Sequence, residues 1–138
     1  PRLARGLPGH LTVFVVENEA VVASAISRML ENGTGPGKKM LCRSFSGIEA
    51  VEAIKNGEPF DVMLCDLNLS GISGRYIHDT LLNERPAEAG KFAFITGDRA
   101  RPETQLYLNS CGRLFLHKPF AAEELLALID QILDAGAD

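Results

Sequence analysis

Polar side chains follow four of the five apolar runs in this chain, and they combine two acids, an amide, a hydroxyl and a cation. In chain order they are Glu17 and Asn18, then Asp66, Thr96 and Lys118. A carboxylate at the end of a buried strand costs free energy to desolvate unless a charge or a hydrogen bond meets it. Each residue alone is more simply a cap or a solvated side chain, but their joint placement indicates a shared site.

Five apolar runs of strand length must position these side chains. The runs are Leu11–Val16, Met40–Cys42, Val62–Cys65, Phe92–Ile95 and Leu114–Leu116. Four of them are continuous rather than alternating, as expected for strands that are covered on both faces.

Segments with helical features separate and follow these runs. We expect helices near residues 21–30, 46–57, 75–84, from 102 onward and 125–133. The second opens with a capping box, Ser46 and Glu49, and Pro102 suits the first turn of the fourth. This alternation predicts a parallel sheet with right-handed crossovers and helices on both faces. Ligands bind such sheets outside the carboxyl ends of the strands, which is where the polar residues fall.

The composition indicates one cytoplasmic domain. The 138 residues suffice for a self-standing core, and the net charge of −4 carries no long run of like charge. We therefore expect neither nucleic acid nor direct membrane contact. Three cysteines without C-x-x-C spacing indicate a reducing compartment, and we expect neither a signal peptide in PRLARGLPGH nor a spanning segment. The first residue is Pro1 rather than methionine, which indicates a processed product or a piece of a longer protein.

Four motifs carry a resemblance to a known family. They are VVENE (Val15–Glu19), DVMLCDLNLSGISG (Asp61–Gly74), FITGD (Phe94–Asp98) and FLHKPF (Phe115–Phe120). In this order and spacing, the chain from about Leu11 to Leu133 resembles the receiver domain of two-component response regulators. The resemblance implies a flavodoxin-like (βα)5 three-layer sandwich with a parallel sheet in the order 2-1-3-4-5. It also implies a leader or linker over residues 1–10 and a receiver domain over residues 11–135.

The resemblance assigns Asp66 as the acceptor of a phosphoryl group from a histidine kinase or a histidine phosphotransfer protein. Mg²⁺ is the implied cofactor, with ligands from Glu17, Asn18, Asp66 and the backbone carbonyl of Asn68. Elementary chemistry agrees with these roles, because a carboxylate that attacks a phosphoryl group brings two negative species together. A hard cation with oxygen ligands would neutralise them.

The remaining strand-end residues are expected to sense the phosphoryl group. Lys118 would supply a fixed positive charge, and the Thr96 hydroxyl would donate to a phosphoryl oxygen that is present only after transfer. If Thr96 moves toward the phosphate, Phe115 can turn inward and alter the surface of the fourth helix, fifth strand and fifth helix. An ordinary core aromatic is the open alternative for Phe115. By position in the family, Asn68 and Asp98 would tune dephosphorylation.

Two positions depart from the usual receiver pattern. Most receivers carry a second acid where this chain has Asn18, whose amide oxygen coordinates a cation without adding charge. At about 4 Å and an effective dielectric near 20, a unit charge contributes roughly 4 kcal/mol per unit of cation charge before desolvation. We therefore predict weakened rather than abolished Mg²⁺ binding. Ser70 stands where the family usually has proline, which should loosen the turn after Asp66.

The segment from Gly74 through Phe120 looks most like receivers at the C-terminus of hybrid sensor histidine kinases, so we expect this chain to be part of one. A free-standing single-domain regulator is the nearest alternative, and a weak homodimer stays open. The chain is expected to be a phosphoacceptor rather than an enzyme, although it would assist its own phosphorylation and dephosphorylation. A degenerate receiver that binds proteins without phosphate is the serious rival, favoured by Asn18 and Ser70.

Two other classes fit the residues poorly. A flavodoxin-type cofactor binder would carry a Ser/Thr/Gly-rich phosphate loop after the first strand, where this chain has Glu17 and Glu19. A phosphatase of the haloacid dehalogenase type would carry a D-x-D motif after its first strand. The segment Asp66-Leu67-Asn68 lacks the second acid and follows the third strand.

Overall fold

Strand and helix alternate five times in the computed structural model, which describes residues 10–32, 39–98 and 100–136. The strands are β1 (His10–Val16), β2 (Lys39–Phe45), β3 (Val62–Asp66), β4 (Phe92–Thr96) and β5 (Leu114–His117). The helices are α1 (Ala20–Asn32), α2 (Gly47–Lys55), α3 (Gly74–Glu84), α4 (Pro102–Ser110) and α5 (Ala122–Gly136). A short 3-10 helix, Pro86–Lys91, connects α3 to β4.

The five strands form one parallel sheet in the order β2-β1-β3-β4-β5, which confirms the predicted flavodoxin-like fold. β3 and β4 are buried at every residue, because neighbouring strands flank them and helices cover both of their faces. The strand order reverses between β1 and β3. Since parallel strands end at the same edge, the polar residues that follow them meet beside this reversal.

The core has a layer on each face of the sheet. In β3, Met63 and Cys65 face one layer, whereas Val62 and Leu64 face the other. The first layer lies beneath α2 and α3 and contains the rings of Phe14, Phe45, Phe60, Phe92 and Phe94. The second lies beneath α1 and α5 and contains Ile26, Leu30, Leu125, Ile129 and Ile132. Burial of one large apolar side chain contributes about 1.5–3 kcal/mol, so both layers stabilise the sandwich.

Several helix ends lie where the local sequence predicts them. The Ser46 hydroxyl accepts from the Glu49 N–H at 3.2 Å, and the Glu49 carboxylate accepts from the Ser46 N–H at 2.8 Å. These bonds form the predicted capping box of α2. Gly57 follows the helix with φ 75°, a left-handed conformation that glycine adopts at little cost. α4 starts at Pro102, as predicted.

Every strand extends beyond its predicted run, β3, β4 and β5 by one residue at the carboxyl end, and β2 differs most. β2 continues past its predicted end to Phe45, because it pairs with β1 along its whole length. The apolar pattern does not predict this extension, because Arg43 and Ser44 are polar and exposed, as is common in an edge strand. β1 begins at His10, one residue before the predicted run. The rest of the predicted leader, residues 1–9, lies outside the described residues, as does the segment 33–38 between α1 and β2.

The composition predicts cysteines that form no disulfide. The three cysteines are free. Burial raises the pKa of the Cys65 thiol, and raises that of Cys42 to about 11, so neither favours the reactive thiolate.

None of the helices in the described part of the chain combines the length and the apolar character needed to cross a membrane.

Candidate functional site

Lys118 bridges two carboxylates at the carboxyl edge of the sheet. Its ammonium nitrogen lies 2.8 Å from Glu17 Oε2 and 2.9 Å from Asp66 Oδ2. Glu17 directly follows β1, Asp66 is the last residue of β3, and Lys118 directly follows β5. The Lys118 N–H also donates to the Thr96 carbonyl over 2.8 Å, which ties the loop after β5 to the end of β4. The structure therefore brings together three of the predicted site residues from distant parts of the chain.

Burial and charge together set the ionisation of this group. Glu17 and Asp66 are only 7% and 6% exposed. Burial raises the pKa of Glu17, and the Asp66 charge adds to the rise while the bond to Lys118 opposes it. Burial works against the charge on Lys118, but its hydrogen bonds to Glu17 and Asp66 outweigh burial and raise its pKa. The ammonium thus holds together two carboxylates that would otherwise repel each other.

The turn after β3 holds the second oxygen of Asp66. The Asn68 N–H donates to Asp66 Oδ1 at 2.9 Å, so each carboxylate oxygen accepts a hydrogen bond. α3 begins close behind this turn, where the Gly74 N–H donates to the Leu67 carbonyl at 3.0 Å. A Cβ at Gly74 would lie 2.5 Å from the Asp66 carbonyl oxygen, so only glycine permits this approach. The motif Asp61–Gly74 ends on this glycine but gives it no role; its place at a helix start, where glycine has poor propensity, is the available signal.

The two residues that depart from the receiver pattern contact each other. Asn18 Nδ2 donates to Ser70 Oγ over 3.1 Å, and this bond joins the loop after β1 to the loop after β3. Both residues are exposed. Glu19 lies just before α1 and donates its N–H to Glu17 Oε1 at 3.3 Å. No local signal relates Asn18 to a residue 52 positions away, so the sequence identifies the two departures but not their contact.

Thr96 and Asp98 belong to a hydrogen-bond network at the start of α4. The buried Thr96 hydroxyl accepts from the Asp98 N–H at 3.0 Å. The Asp98 carboxylate accepts from the Ala100 and Arg101 N–H groups, each at 3.1 Å. It also accepts from the Thr104 hydroxyl at 2.8 Å. The bonds from Arg101 and Thr104 lower the pKa of Asp98. Asp98 therefore stabilises the loop before α4 through these hydrogen bonds. Its role in dephosphorylation stays a prediction.

Phe115 is half-buried in β5 and packs against the aromatic core layer. Its ring lies 5.6 Å from that of His117, at an interplanar angle of 81°. Tyr107 of α4 packs against the same layer, with its ring 5.6 Å from Phe94 and the Arg75 guanidinium 4.2 Å from its ring centroid. The proposed switch residue therefore lies on the face that α4 covers, and the rotamer change itself stays a prediction.

The oxygen donors at this edge fit a hard cation. Across residues 10–32, 39–98 and 100–136, no three His, Cys, Asp or Glu side chains are arranged to hold a metal ion. The predicted ligand set contains only two such side chains, Glu17 and Asp66, and takes its other oxygens from Asn18 and the Asn68 carbonyl. Two carboxylates and the Lys118 ammonium leave one net negative charge when all are ionised. An oxygen-only set with net negative charge suits the ligand preference of Mg²⁺.

Known proteins share this architecture. The family model of the response regulator receiver domain matches residues 13–130. A response regulator receiver protein from Sinorhizobium medicae is 20% identical, with a TM-score of 0.75 over 92% of this chain and 97% of that chain. A CheY-like receiver domain from Methanospirillum hungatei is 22% identical, with a TM-score of 0.74 over 92% of this chain and 96% of that chain.

A third similar structure contains a metal ion. The receiver domain of a Pseudomonas aeruginosa sensor histidine kinase, with magnesium coordinated in its active site cleft, is 19% identical. Its TM-score is 0.76, over 91% of this chain and 98% of that chain. No curated protein matches the chain. At these identities the structures share the fold alone, whereas the family model spans most of the sequence. This chain belongs to the response regulator receiver domain family of two-component signalling.

Proposed function

We propose that Asp66 accepts a phosphoryl group from a histidine kinase or a histidine phosphotransfer protein. The observation that carries this proposal is the bridge of Lys118, which lies 2.9 Å from Asp66 Oδ2 and 2.8 Å from Glu17 Oε2. Phosphorylation adds negative charge to a nearly buried carboxylate. A fixed ammonium beside Asp66 offsets that charge, because charge-assisted hydrogen bonds to phosphoryl oxygens are strong.

In the proposed transfer, an Asp66 carboxylate oxygen forms a bond to phosphorus as the bond from phosphorus to the donor imidazole nitrogen breaks. The electron pair of the broken bond stays on the imidazole. Lys118 already donates to Asp66 and can shift its hydrogen bond to an oxygen of the arriving group. The product is an aspartyl phosphate, and the donor histidine returns to its unmodified form.

Mg²⁺ is the cofactor that we propose for this step. Glu17, Asp66, the Asn18 amide oxygen and the Asn68 carbonyl would hold it, and it would neutralise charge between the carboxylate and the phosphoryl group. Asn18 adds an oxygen but no charge, so we expect weaker binding than an aspartate would give. An Asn18→Asp protein should bind Mg²⁺ more tightly than the native chain by calorimetric titration. Equal affinities would contradict the charge argument.

We propose that Thr96 and Phe115 convert phosphorylation into a change of surface. The Thr96 hydroxyl accepts from the Asp98 N–H, and its movement toward a phosphoryl oxygen would release that contact. Phe115 is half-buried and would turn toward the space left behind Thr96. The surface affected carries Leu106 of α4 and Leu114 of β5, which are 70% and 41% exposed. Such apolar side chains can contact a protein partner once the surface has the correct shape.

We propose that the chain works as the receiver part of a hybrid histidine kinase in the cytoplasm. The motifs between Gly74 and Phe120 support this context, with a free-standing regulator as the alternative. Three further points stay predictions. They are the tuning of dephosphorylation by Asn68 and Asp98, the lack of nucleic-acid or membrane partners, and a weak homodimer. The sequence of the full-length gene would decide between the two contexts. A hybrid kinase should encode a kinase core immediately upstream of this domain, whereas a free-standing regulator should not.

The test of the proposed function is incubation with acetyl phosphate and Mg²⁺, followed by intact mass spectrometry. We expect a base-labile gain of one phosphoryl group in the native chain and none in Asp66→Asn. The matched control is Asp61→Asn, because Asp61 is also buried and immediately precedes the same strand. Its carboxylate accepts from the Thr12 N–H, a bond that an asparagine oxygen can keep. Asp61→Asn should be phosphorylated like the native chain.

The alternative function is a receiver that binds partners without phosphate. Asn18 and Ser70 favour it, because they remove a charge and a rigid turn from the site. A native chain that stays unmodified by acetyl phosphate and by a cognate kinase, while the Asn18→Asp protein is phosphorylated, would support this alternative.

A further inference from the structure

The bond between Asn18 and Ser70 joins the two loops that carry the proposed metal ligands after β1 and β3. Asn18 follows Glu17 at the end of β1, and Ser70 lies four positions after Asp66. The two side chains are exposed, and Asn18 Nδ2 donates to Ser70 Oγ at 3.1 Å. Each residue is a departure from the usual pattern, yet the two departures form one contact. This contact has a consequence that neither residue has alone.

An amide ligand must be oriented, whereas a carboxylate need not be. The two oxygens of a carboxylate are equivalent, so either can face a cation. A carboxamide has one oxygen and one NH₂ group, and the NH₂ group repels a cation. An asparagine at position 18 therefore coordinates Mg²⁺ only in one of its two flipped states. The hydrogen bond to Ser70 uses the nitrogen, which leaves Oδ1 as the atom that can meet the ion.

We propose that Ser70 is a positioning residue for the metal site, which holds Asn18 by its nitrogen so that its oxygen faces Mg²⁺. This inference rests on the proposed function for its metal. A proline at position 70 has no side-chain acceptor and could not hold the amide. The site therefore compensates in part for its missing charge by orienting the neutral ligand in advance.

The test is a double-mutant cycle in Mg²⁺ affinity, measured by calorimetric titration. The proteins are the native chain, Ser70→Ala, Asn18→Asp and the double variant. We expect Ser70→Ala to weaken Mg²⁺ binding about three- to tenfold when residue 18 is asparagine, the range expected for loss of one hydrogen bond. The same change should alter Mg²⁺ affinity by less than about twofold when residue 18 is aspartate, because either oxygen of a carboxylate can coordinate the ion.

A second measurement reads the amide directly. In ¹⁵N-labelled native protein, the Asn18 side-chain NH₂ resonances should stay sharp and keep hydrogen-bonded chemical shifts on addition of Mg²⁺, because the nitrogen keeps its bond to Ser70. In Ser70→Ala they should broaden or shift toward free-amide positions. Thermal unfolding without Mg²⁺ should be nearly the same for all four proteins, since both residues are exposed. A loss of affinity that accompanies unfolding would count against an orienting role.

The outcomes separate this inference from the proposed function. Equal weakening by Ser70→Ala in both backgrounds, no weakening, or no Mg²⁺ binding by the native chain would overturn the inference. Acetyl phosphate labelling of the same proteins tests phosphorylation by itself. If Mg²⁺ binding depends on Ser70 only in the Asn18 background but Asp66 is not labelled, the proposed phosphotransfer fails while the positioning role stands.

Discussion

Two aspartates at the carboxyl edge of the sheet, Asp66 and Asp98, are held in different ways. Asp66 is held by Lys118, which lies 52 positions away and also binds Glu17 at a separation of 101 positions. Asp98 is held by backbone N–H groups and a hydroxyl that lie within six positions. The first site forms only when the whole sheet is assembled, whereas the second can form within one loop and helix. Disruption of the first should therefore affect global stability, and disruption of the second should affect α4 alone.

The largest expected effect comes from Lys118→Met, which removes the positive charge between two buried carboxylates. Loss of one partner of a buried ion pair costs 3–5 kcal/mol, and we expect about 3 kcal/mol in urea unfolding because Lys118 keeps some exposure. Lys39→Met, at an exposed position of β2, is the matched control and should change stability by less than about 0.5 kcal/mol. Adding Glu17→Gln to Lys118→Met should recover part of the loss. Equal costs for the two lysine variants would show that the bridge contributes no net stability.

Gly74→Ala should have the next largest effect. The added methyl group would lie 2.5 Å from the Asp66 carbonyl oxygen and 2.8 Å from Leu67 Cα, so α3 must move away from β3. Overpacking of this kind costs about 2 kcal/mol in the free energy of unfolding. Gly90→Ala is the control, because the atom nearest to its new Cβ is Arg113 Nη1 at 4.0 Å. A Gly74→Ala protein as stable as the Gly90→Ala protein would contradict the close approach.

A smaller effect should follow from alkaline pH. The folded-state pKa of Lys118 is raised above its unfolded value, so its contribution to stability is fully present below about pH 10.4. That contribution is lost as pH rises through the higher folded-state pKa. The free energy of unfolding should therefore fall more steeply above this pH in the native chain than in Lys118→Met. Parallel pH profiles for the two proteins would exclude a stabilising ammonium.

Asp98→Ala should have the smallest effect on the free energy of unfolding, and its effect should be confined to the start of α4. Without the carboxylate, the Ala100 and Arg101 N–H groups and the Thr104 hydroxyl lose their acceptor. Amide hydrogen exchange in the first turn of α4 should become faster, while exchange in β1 and β3 stays unchanged. Asp98→Asn is the matched control and should keep part of the protection. Uniformly faster exchange across the sheet would remove the distinction between the two aspartates.

The fold is predictable from the sequence where short-range signals act alone. The capping box of Ser46 and Glu49, the start of α4 at Pro102 and the apolar runs of the central strands depend on residues close in sequence. The extent of β2 is not predictable in this way, because Arg43 and Ser44 lie in a strand only through pairing with β1. Strand pairing is a property of the assembled sheet rather than of the segment.

The site is predictable to a similar degree. Parallel strands end at one edge, so Glu17, Asp66 and Lys118 could be placed together from their positions alone. The contact of Asn18 with Ser70 could not be, because it depends on the shapes of two loops. The hydrogen bonds that the Ala100 and Arg101 N–H groups donate to Asp98 could not be predicted either, because they depend on the conformation of the loop before α4.

The concentration of aromatic rings in one core layer has a spectroscopic consequence. The chain has no tryptophan and two tyrosines, Tyr76 on α3 and Tyr107 on α4. Intrinsic tyrosine emission therefore originates from α3 and α4, and the core layer beneath α1 and α5 contributes no tyrosine signal. Because Tyr107 lies against Phe94 and beneath the Arg75 guanidinium, its emission can serve as a label-free optical reporter of rearrangement in α4.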